Sequence, residues 1–207
     1  MASPPKGSFR YQRRHGNLNG IVVLVLLALL AGSCSSTRDD LPQESAAEQE
    51  EDFENPCDPN APAEASELEG ESAKEGAAAV NVTAVEFAFQ GVQDEYPAGD
   101  YGFKLVNSGQ QAHEMAVVRI QEGESRPVAE IMQLPEEEQE KVAEYLGGSV
   151  ACPGKEAEAL GLTLEQGRYS MICFIPVGLT PDIRKEGADK LGPPHFTVGM
   201  VKDFSVS

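Results

Sequence analysis

Four residues have side chains that could bind one metal ion. His113 and His195 are the only histidines after residue 33, Cys173 lies between them, and Met200 follows His195 by five positions. Two imidazoles, a thiolate and a thioether form a soft nitrogen-and-sulfur set that suits copper. A trigonal plane of two histidines and a cysteine, with a weak axial methionine, is an arrangement that supports electron transfer.

The elements expected to position these residues are β-strands. Apolar residues alternate with others at 80–89 and at 101–105, which is typical of half-buried strands. Further strands are predicted at 113–120, at 168–175 and from residue 195 or 197 to 206. We therefore expect residues 80–207 to form an all-β, antiparallel Greek-key sandwich.

One segment interrupts the strand pattern. Pro135 is followed by three glutamates, and Gly147 and Gly148 come directly after the apolar pair Tyr145 and Leu146. Proline at the start, acids in the first turn and glycine after the last apolar residue mark a short helix. The pattern predicts a helical insertion near 127–146 that covers one edge or end of the sandwich.

The N-terminus has the features of an export signal. Four basic residues precede an apolar run at 21–31, which is too short to span a bilayer because spanning takes about 20 apolar residues. The run ends in Ala31-Gly32-Ser33-Cys34, which resembles the lipobox of bacterial lipoproteins. The resemblance implies a signal peptide at 1–33 and a lipid anchor on Cys34. The alternative is a plain secretory signal that is cut nearby.

Composition indicates a spacer after the signal and limits the possible partners. Residues 34–79 are rich in Glu, Ala, Pro, Ser and Gly, so we expect a disordered acidic tether. The chain carries 34 acidic and 16 basic side chains, a net charge of -18. This excess argues against a nucleic-acid binder, which must neutralise phosphates, and favours a basic protein partner.

Residues 80–207 resemble the cupredoxin family, specifically its plastocyanin-like blue copper domains. The resemblance rests on Asn107-Ser108-Gly109 leading to His113, on the strand that ends at Cys173, and on the segment from His195 to Met200. In that family the first histidine follows an early strand, and cysteine, second histidine and methionine follow in that order. The resemblance therefore implies that His113, Cys173, His195 and Met200 bind copper. One difference is that 21 residues separate Cys173 from His195, where the family has only a few.

Each of these residues also has an ordinary structural explanation when it is taken alone. Cys173 could be a buried small hydrophobe or a disulfide partner. Met200 could belong to the core, and a single histidine at a strand start is more often a hydrogen-bonded structural residue than a ligand. Taken together and in family order, the four residues favour copper binding.

The remaining cysteines can form a disulfide. If Cys34 is lipidated and Cys173 binds metal, Cys57 and Cys152 remain as an even pair in an oxidising compartment. The rival pairing of Cys152 with Cys173 would abolish the copper site and leave Cys57 free.

Taken together, these features predict a lipid-anchored, extracytoplasmic blue copper protein. It would carry single electrons to a basic, cytochrome-like partner. One alternative is a copper-handling protein, because Met115 and Met171 lie near the proposed ligands in sequence and thioethers favour Cu(I). Another is a metal-free sandwich used for adhesion or assembly, which the long loop favours. We expect no enzyme, because no Ser-His-Asp order fits and both histidines are already assigned.

Overall fold

The computed structural model describes residues 55–60, 70–183 and 185–207. The predicted signal peptide, the lipidation site at Cys34 and most of the predicted tether lie outside these residues. Within the described residues, no helix is both long enough and apolar enough to cross a membrane.

The described part of the chain contains two five-stranded sheets. The first sheet contains, in spatial order, β1 (Glu71–Ser72), β8 (Leu160–Leu164), β5 (Gly99–Asn107), β2 (Ala78–Val85) and β3 (Ala88–Gln90). The second contains β4 (Glu95–Tyr96), β10 (Val201–Val206), β9 (Gly167–Ile172), β6 (His113–Ile120) and β7 (Ala143–Ala151). The predicted all-β sandwich with a short helical insertion is confirmed.

The strand pairing is mixed rather than purely antiparallel. β2 pairs with β5 in parallel, and β10 pairs with β4 in parallel. The prediction of an antiparallel sandwich is wrong on this point. The chain passes through β3 and β4 before it returns beside β2, and such a crossover lets two strands of one sheet run in the same direction.

Strand β6 is buried on both faces and separates two apolar cores. Met115 and Val117 lie in the core between the sheets, the inner core. Ala116, Val118 and Ile120 lie in the outer core, beneath two short helices, α1 (Val128–Ile131) and α2 (Glu136–Val142). Because both faces are covered, this strand has a nearly continuous apolar sequence.

The predicted insertion is helical only in its first part. Helix α2 follows Pro135 as expected, but it ends at Val142, and the chain then forms β7 against β6. The expectation that the helix reaches residue 146 is therefore wrong. A Cβ at Gly148 would lie 2.8 Å from the Tyr145 hydroxyl oxygen and 3.2 Å from the Met115 carbonyl oxygen. This glycine thus allows close packing within the sheet and does not end a helix.

The last strand begins later than its sequence predicts. Residues His195–Val198 form a 3₁₀ helix, and β10 starts only at Val201. Pro194 precedes this helix with a φ of −55°, and Gly199 ends it with a φ of 111°. Proline lacks the N–H that a ladder needs, and a positive φ favours glycine, so both residues oppose an extended strand here.

The packed domain includes residues before Val80. Cys57 and Cys152 form a disulfide, and Cys173 is a free, buried cysteine. Strand β1 pairs with β8. Parts of the segment expected to be a tether are therefore attached to the sandwich.

Candidate metal centre

His113 and Cys173 are brought together by two adjacent strands. His113 is the first residue of β6, and Cys173 directly follows β9. These strands are antiparallel, with Ala116 opposite Ile172, so both side chains lie at the same end of the sandwich. Strand alternation places His113 on the face of Met115, and Cys173 lies in the same inner core.

The long loop between Cys173 and His195 closes at its base. The His195 N–H donates to the Ile175 carbonyl at 2.8 Å, and the Phe196 N–H donates to the Cys173 carbonyl at 2.9 Å. Pro176 and Pro194 face each other in an antiparallel bridge. The loop thus leaves and returns at one point, which places His195 beside Cys173.

Two phenylalanines fasten the ends of this loop from the other side of the sheet. Phe174 follows Cys173, Phe196 follows His195, and their rings meet in a T-shaped contact with centroids 5.5 Å apart. Both rings are buried in the outer core. The residues next to the two side chains of interest are therefore packed together.

The resulting cluster has the spacing of a metal site. Cys173 Sγ lies 3.3 Å from His195 Nδ1, and the rings of His113 and His195 have centroids 5.0 Å apart. One ligand atom from each of the three residues lies within 4.8 Å of the others. All three side chains are 0% exposed. The site is therefore closed to solvent and offers two nitrogens and one sulfur.

Unsatisfied nitrogen atoms test whether a metal ion fits here. Neither ring nitrogen of His113 has a hydrogen-bond partner among the residues that the structure describes, although both are buried. Leaving buried polar atoms without partners is costly. His113 Nε2 lies 3.5 Å from Glu86 Oε1, which leaves Nδ1 as the nitrogen available to the cluster. A metal ion bound there would satisfy it, so the residues fit the group.

Electrostatics keeps the histidines in the form that binds metals. Burial lowers the pKa of His113. Burial, with a smaller contribution from the neighbouring His113, lowers the pKa of His195 to about 4. Both rings are therefore neutral at pH 7. Burial, followed by the Glu114 carboxylate, raises the pKa of the Cys173 thiol. The thiol keeps its proton until a metal ion displaces it.

The backbone of Met200 forms hydrogen bonds with both Cys173 and His195. Its N–H donates to the His195 carbonyl at 3.0 Å, and its carbonyl accepts from the Cys173 N–H at 3.2 Å. The residue is 0% exposed and belongs to the same core cluster as Cys173. All four residues that the sequence singled out therefore lie in one buried region.

Three residues around the cluster were not predicted. Glu86 and Phe87 form the two-residue turn between β2 and β3, and the Phe87 ring meets the His195 ring edge-on, with centroids 5.1 Å apart. Gln111 Oε1 accepts from the Gly178 N–H and lies 3.3 Å from His195 Nε2. In so acidic a chain nothing in the sequence distinguishes Glu86, and Phe87 and Gln111 become notable only through the folded geometry.

No protein-family model matches the sequence, and no curated protein shows significant similarity to it. Among solved structures, the chain is similar to auracyanin B, with 19% identity, a TM-score of 0.42, and 68% of this chain and 97% of that chain covered.

Two further structures are similar to the same extent. An auracyanin from the photosynthetic bacterium Roseiflexus castenholzii has 19% identity and a TM-score of 0.40, with 64% of this chain and 99% of that chain covered. Auracyanin A, described as a blue copper protein from the green thermophilic photosynthetic bacterium Chloroflexus aurantiacus, has 20% identity and a TM-score of 0.39, with 64% and 100% covered.

Proposed function

We propose that this protein is a type 1 copper protein that carries single electrons. The observation that supports this most strongly is the buried cluster of His113, Cys173 and His195, in which Sγ and Nδ1 lie 3.3 Å apart. A thiolate with two imidazoles is a ligand set typical of copper sites, and Met200 would supply the weak axial thioether. Bound copper would supply a one-electron couple between Cu(II) and Cu(I).

The protein's own residues would hold the site rigid and dry. Backbone hydrogen bonds link Cys173 to Phe196 and Met200, and link His195 to Ile175. A site fixed in this way needs little rearrangement when its charge changes, which favours electron transfer. With all four ligands buried, we propose that no substrate reaches the metal and that the protein is a carrier and not an enzyme.

Met200 offers a test of the ligand set. Met200→Leu should leave a coloured copper site with a raised reduction potential, because only a weak axial ligand is lost. Met171→Leu is the matched control, since it removes another fully buried thioether from the same core. If Met171→Leu weakens Cu(I) binding and the wild type stays colourless with Cu(II), the copper-handling alternative is favoured instead.

We also propose that the protein is exported and anchored by lipid on Cys34. The disulfide between Cys57 and Cys152 supports an oxidising, extracytoplasmic location. Cys34→Ala should release the protein to the soluble fraction or leave it unprocessed. Unchanged processing and membrane fractionation of this variant would contradict the anchor.

The redox partner is proposed to be a basic, cytochrome-like protein. The support is the net charge of -18, because opposite charges accelerate encounter. The electron-exchange rate with a basic cytochrome should fall as ionic strength rises, since salt screens such attraction. A rate that does not depend on salt would contradict this partner.

A further inference from the structure

A carboxylate lies beside one of the two histidines of the cluster. Glu86 Oε1 is 3.5 Å from His113 Nε2. The same oxygen accepts hydrogen bonds from the backbone N–H groups of Gln110 and Gln111, the latter at 3.0 Å. These bonds hold the carboxylate against the loop that leads into His113.

Gly109 leaves the room that this contact needs. A Cβ at position 109 would lie 2.4 Å from Glu86 Oε1 and 2.8 Å from His113 Nε2. Both distances are shorter than real Cβ atoms show. The loop therefore has glycine where any other residue would push the carboxylate and the imidazole apart.

The two histidines face groups of different charge. When Nδ1 of a neutral imidazole binds a metal, the ring proton is on Nε2. Metal-binding histidines usually direct this N–H to a carboxylate, a carbonyl or a water. His113 Nε2 faces the carboxylate of Glu86, while His195 Nε2 faces the neutral amide of Gln111. At 3.5 Å the contact with Glu86 is electrostatic and not a full hydrogen bond.

We propose that Glu86 is a positioning residue that orients the His113 ring and lowers the reduction potential of the copper site. This rests on the proposed copper function. Cu(II) carries one more positive charge than Cu(I), so a nearby negative charge stabilises the oxidised state more than the reduced state. The side chain is one-third exposed, at 33%, so solvent weakens the effect without removing it.

The test compares two variants that each remove one negative charge. Glu86→Gln keeps an acceptor oxygen for the N–H groups of Gln110 and Gln111 but has no charge. Glu122→Gln is the control, because Glu122 is exposed in the turn after β6, at the end of that strand opposite His113. The measurements are the reduction potential and the separate dissociation constants for Cu(II) and Cu(I), obtained by competition with chelators.

We expect Glu86→Gln to shift the ratio of Cu(II) to Cu(I) affinity about tenfold in favour of Cu(I), a rise of about 59 mV for one electron. Glu122→Gln should leave the ratio unchanged. Glu86→Asp, which keeps the charge, should have a potential closer to that of the wild type than to that of Glu86→Gln.

The measurements distinguish a failure of the proposed role of Glu86 from a failure of the proposed copper site. If the wild type binds copper with an intense visible band but Glu86→Gln and Glu122→Gln have equal potentials, the role of Glu86 is overturned and the copper site stands. If Glu86→Asp raises the potential as much as Glu86→Gln, charge is not the cause and the proposal is likewise overturned. A wild type without the band would overturn both the copper site and this inference.

Discussion

The backbone N–H of Glu114 donates a hydrogen bond to Cys173 Sγ at 3.3 Å. The Glu114 side-chain oxygen Oε2 in turn accepts from the backbone N–H of Phe174 at 3.2 Å. A single residue next to His113 thus holds both the sulfur of Cys173 and the backbone that follows it. This joins the ends of β6 and β9 and fixes the distance between two of the proposed ligands.

Copper binding should release one proton near neutral pH. Burial raises the pKa of the Cys173 thiol, and burial lowers that of His195 to about 4, so only the cysteine must lose a proton. The apparent affinity for Cu(II) should therefore rise about tenfold per pH unit between roughly pH 6.5 and 8. Competition with a chelator of known proton dependence measures this slope. An affinity that does not change with pH would contradict a thiol ligand.

Glu114→Gln should stabilise the metal-free protein at alkaline pH. Burial raises the pKa of Glu114 from 4.5 to about 8. The unfolded chain is ionised above pH 4.5 while the folded protein stays protonated, so stability falls as pH rises from 4.5 to about 8. The variant has no such loss and should be more stable at pH 8 by an amount on the order of a few kcal/mol.

Urea denaturation at two pH values checks this prediction. The free energies of unfolding of wild type and Glu114→Gln should be similar near pH 4.5, where Glu114 is protonated in about half of the unfolded chains, and should diverge toward pH 8. A difference between the two proteins that is the same at both pH values would show that Glu114 is not titrating as described.

Phe87→Gly should open the site without a large loss of stability. Phe87 has a φ of 65°, which is strained for a bulky residue. Glycine relieves strain of about 1 kcal/mol but removes the ring that packs edge-on against His195. Removal of copper by a chelator, followed by stopped-flow absorption, should become several-fold faster. Phe87→Tyr keeps the ring and should retain the slow rate, and equal rates for all three proteins would contradict the shielding role.

Asn55→Ala should loosen the loop that delivers His195. The Asn55 amide donates to the carbonyls of Thr180 and Ile183, both at 2.9 Å, and the disulfide at Cys57 holds this segment in place. Loss of the two bonds removes the Asn55 donor from both carbonyls, at a cost of about 1–3 kcal/mol, although the Thr180 carbonyl still accepts from the Ile183 N–H at 3.1 Å. We expect a lower Tm and weaker copper binding.

A nearby asparagine supplies the control for this variant. Asn60 bonds only to Asp58 among the hydrogen bonds described, and it is exposed. Asn60→Ala should therefore have the Tm and the copper affinity of the wild type. If Asn55→Ala behaves like Asn60→Ala in both measurements, the segment does not stabilise the loop.

The members of the metal cluster could be predicted from residue types, but the closing of the loop between Cys173 and His195 could not. The rarity of histidine and the order of His113, Cys173 and His195 pointed to one site. That His195 reaches Cys173 depends on hydrogen bonds at the base of the loop, such as the one from His195 to Ile175. These contacts are non-local, and no local pattern in the sequence encodes them.

The strands, too, can be predicted only in part from the local sequence. Strand β6 is predictable because its apolar residues are consecutive, whereas the sequence of β7 predicts the end of a helix. Glycine ends helices in many proteins, which is why Gly147 and Gly148 predict a helix end. Here Gly148 instead packs against Tyr145 and Met115. Pairing with β6 decides the structure of this segment, and that partner is distant in sequence.

The visible absorption spectrum after addition of Cu(II) tests the copper site most directly. We expect an intense visible band for the wild type, because the colour arises from a thiolate bound to Cu(II). Cys173→Ser should abolish the band, and His195→Ala should weaken copper binding and alter the colour, while both variants keep the β-sandwich circular dichroism spectrum. If the wild type shows no band, or if His195→Ala leaves binding and colour untouched while Cys173→Ser removes them, the proposed ligand set is contradicted.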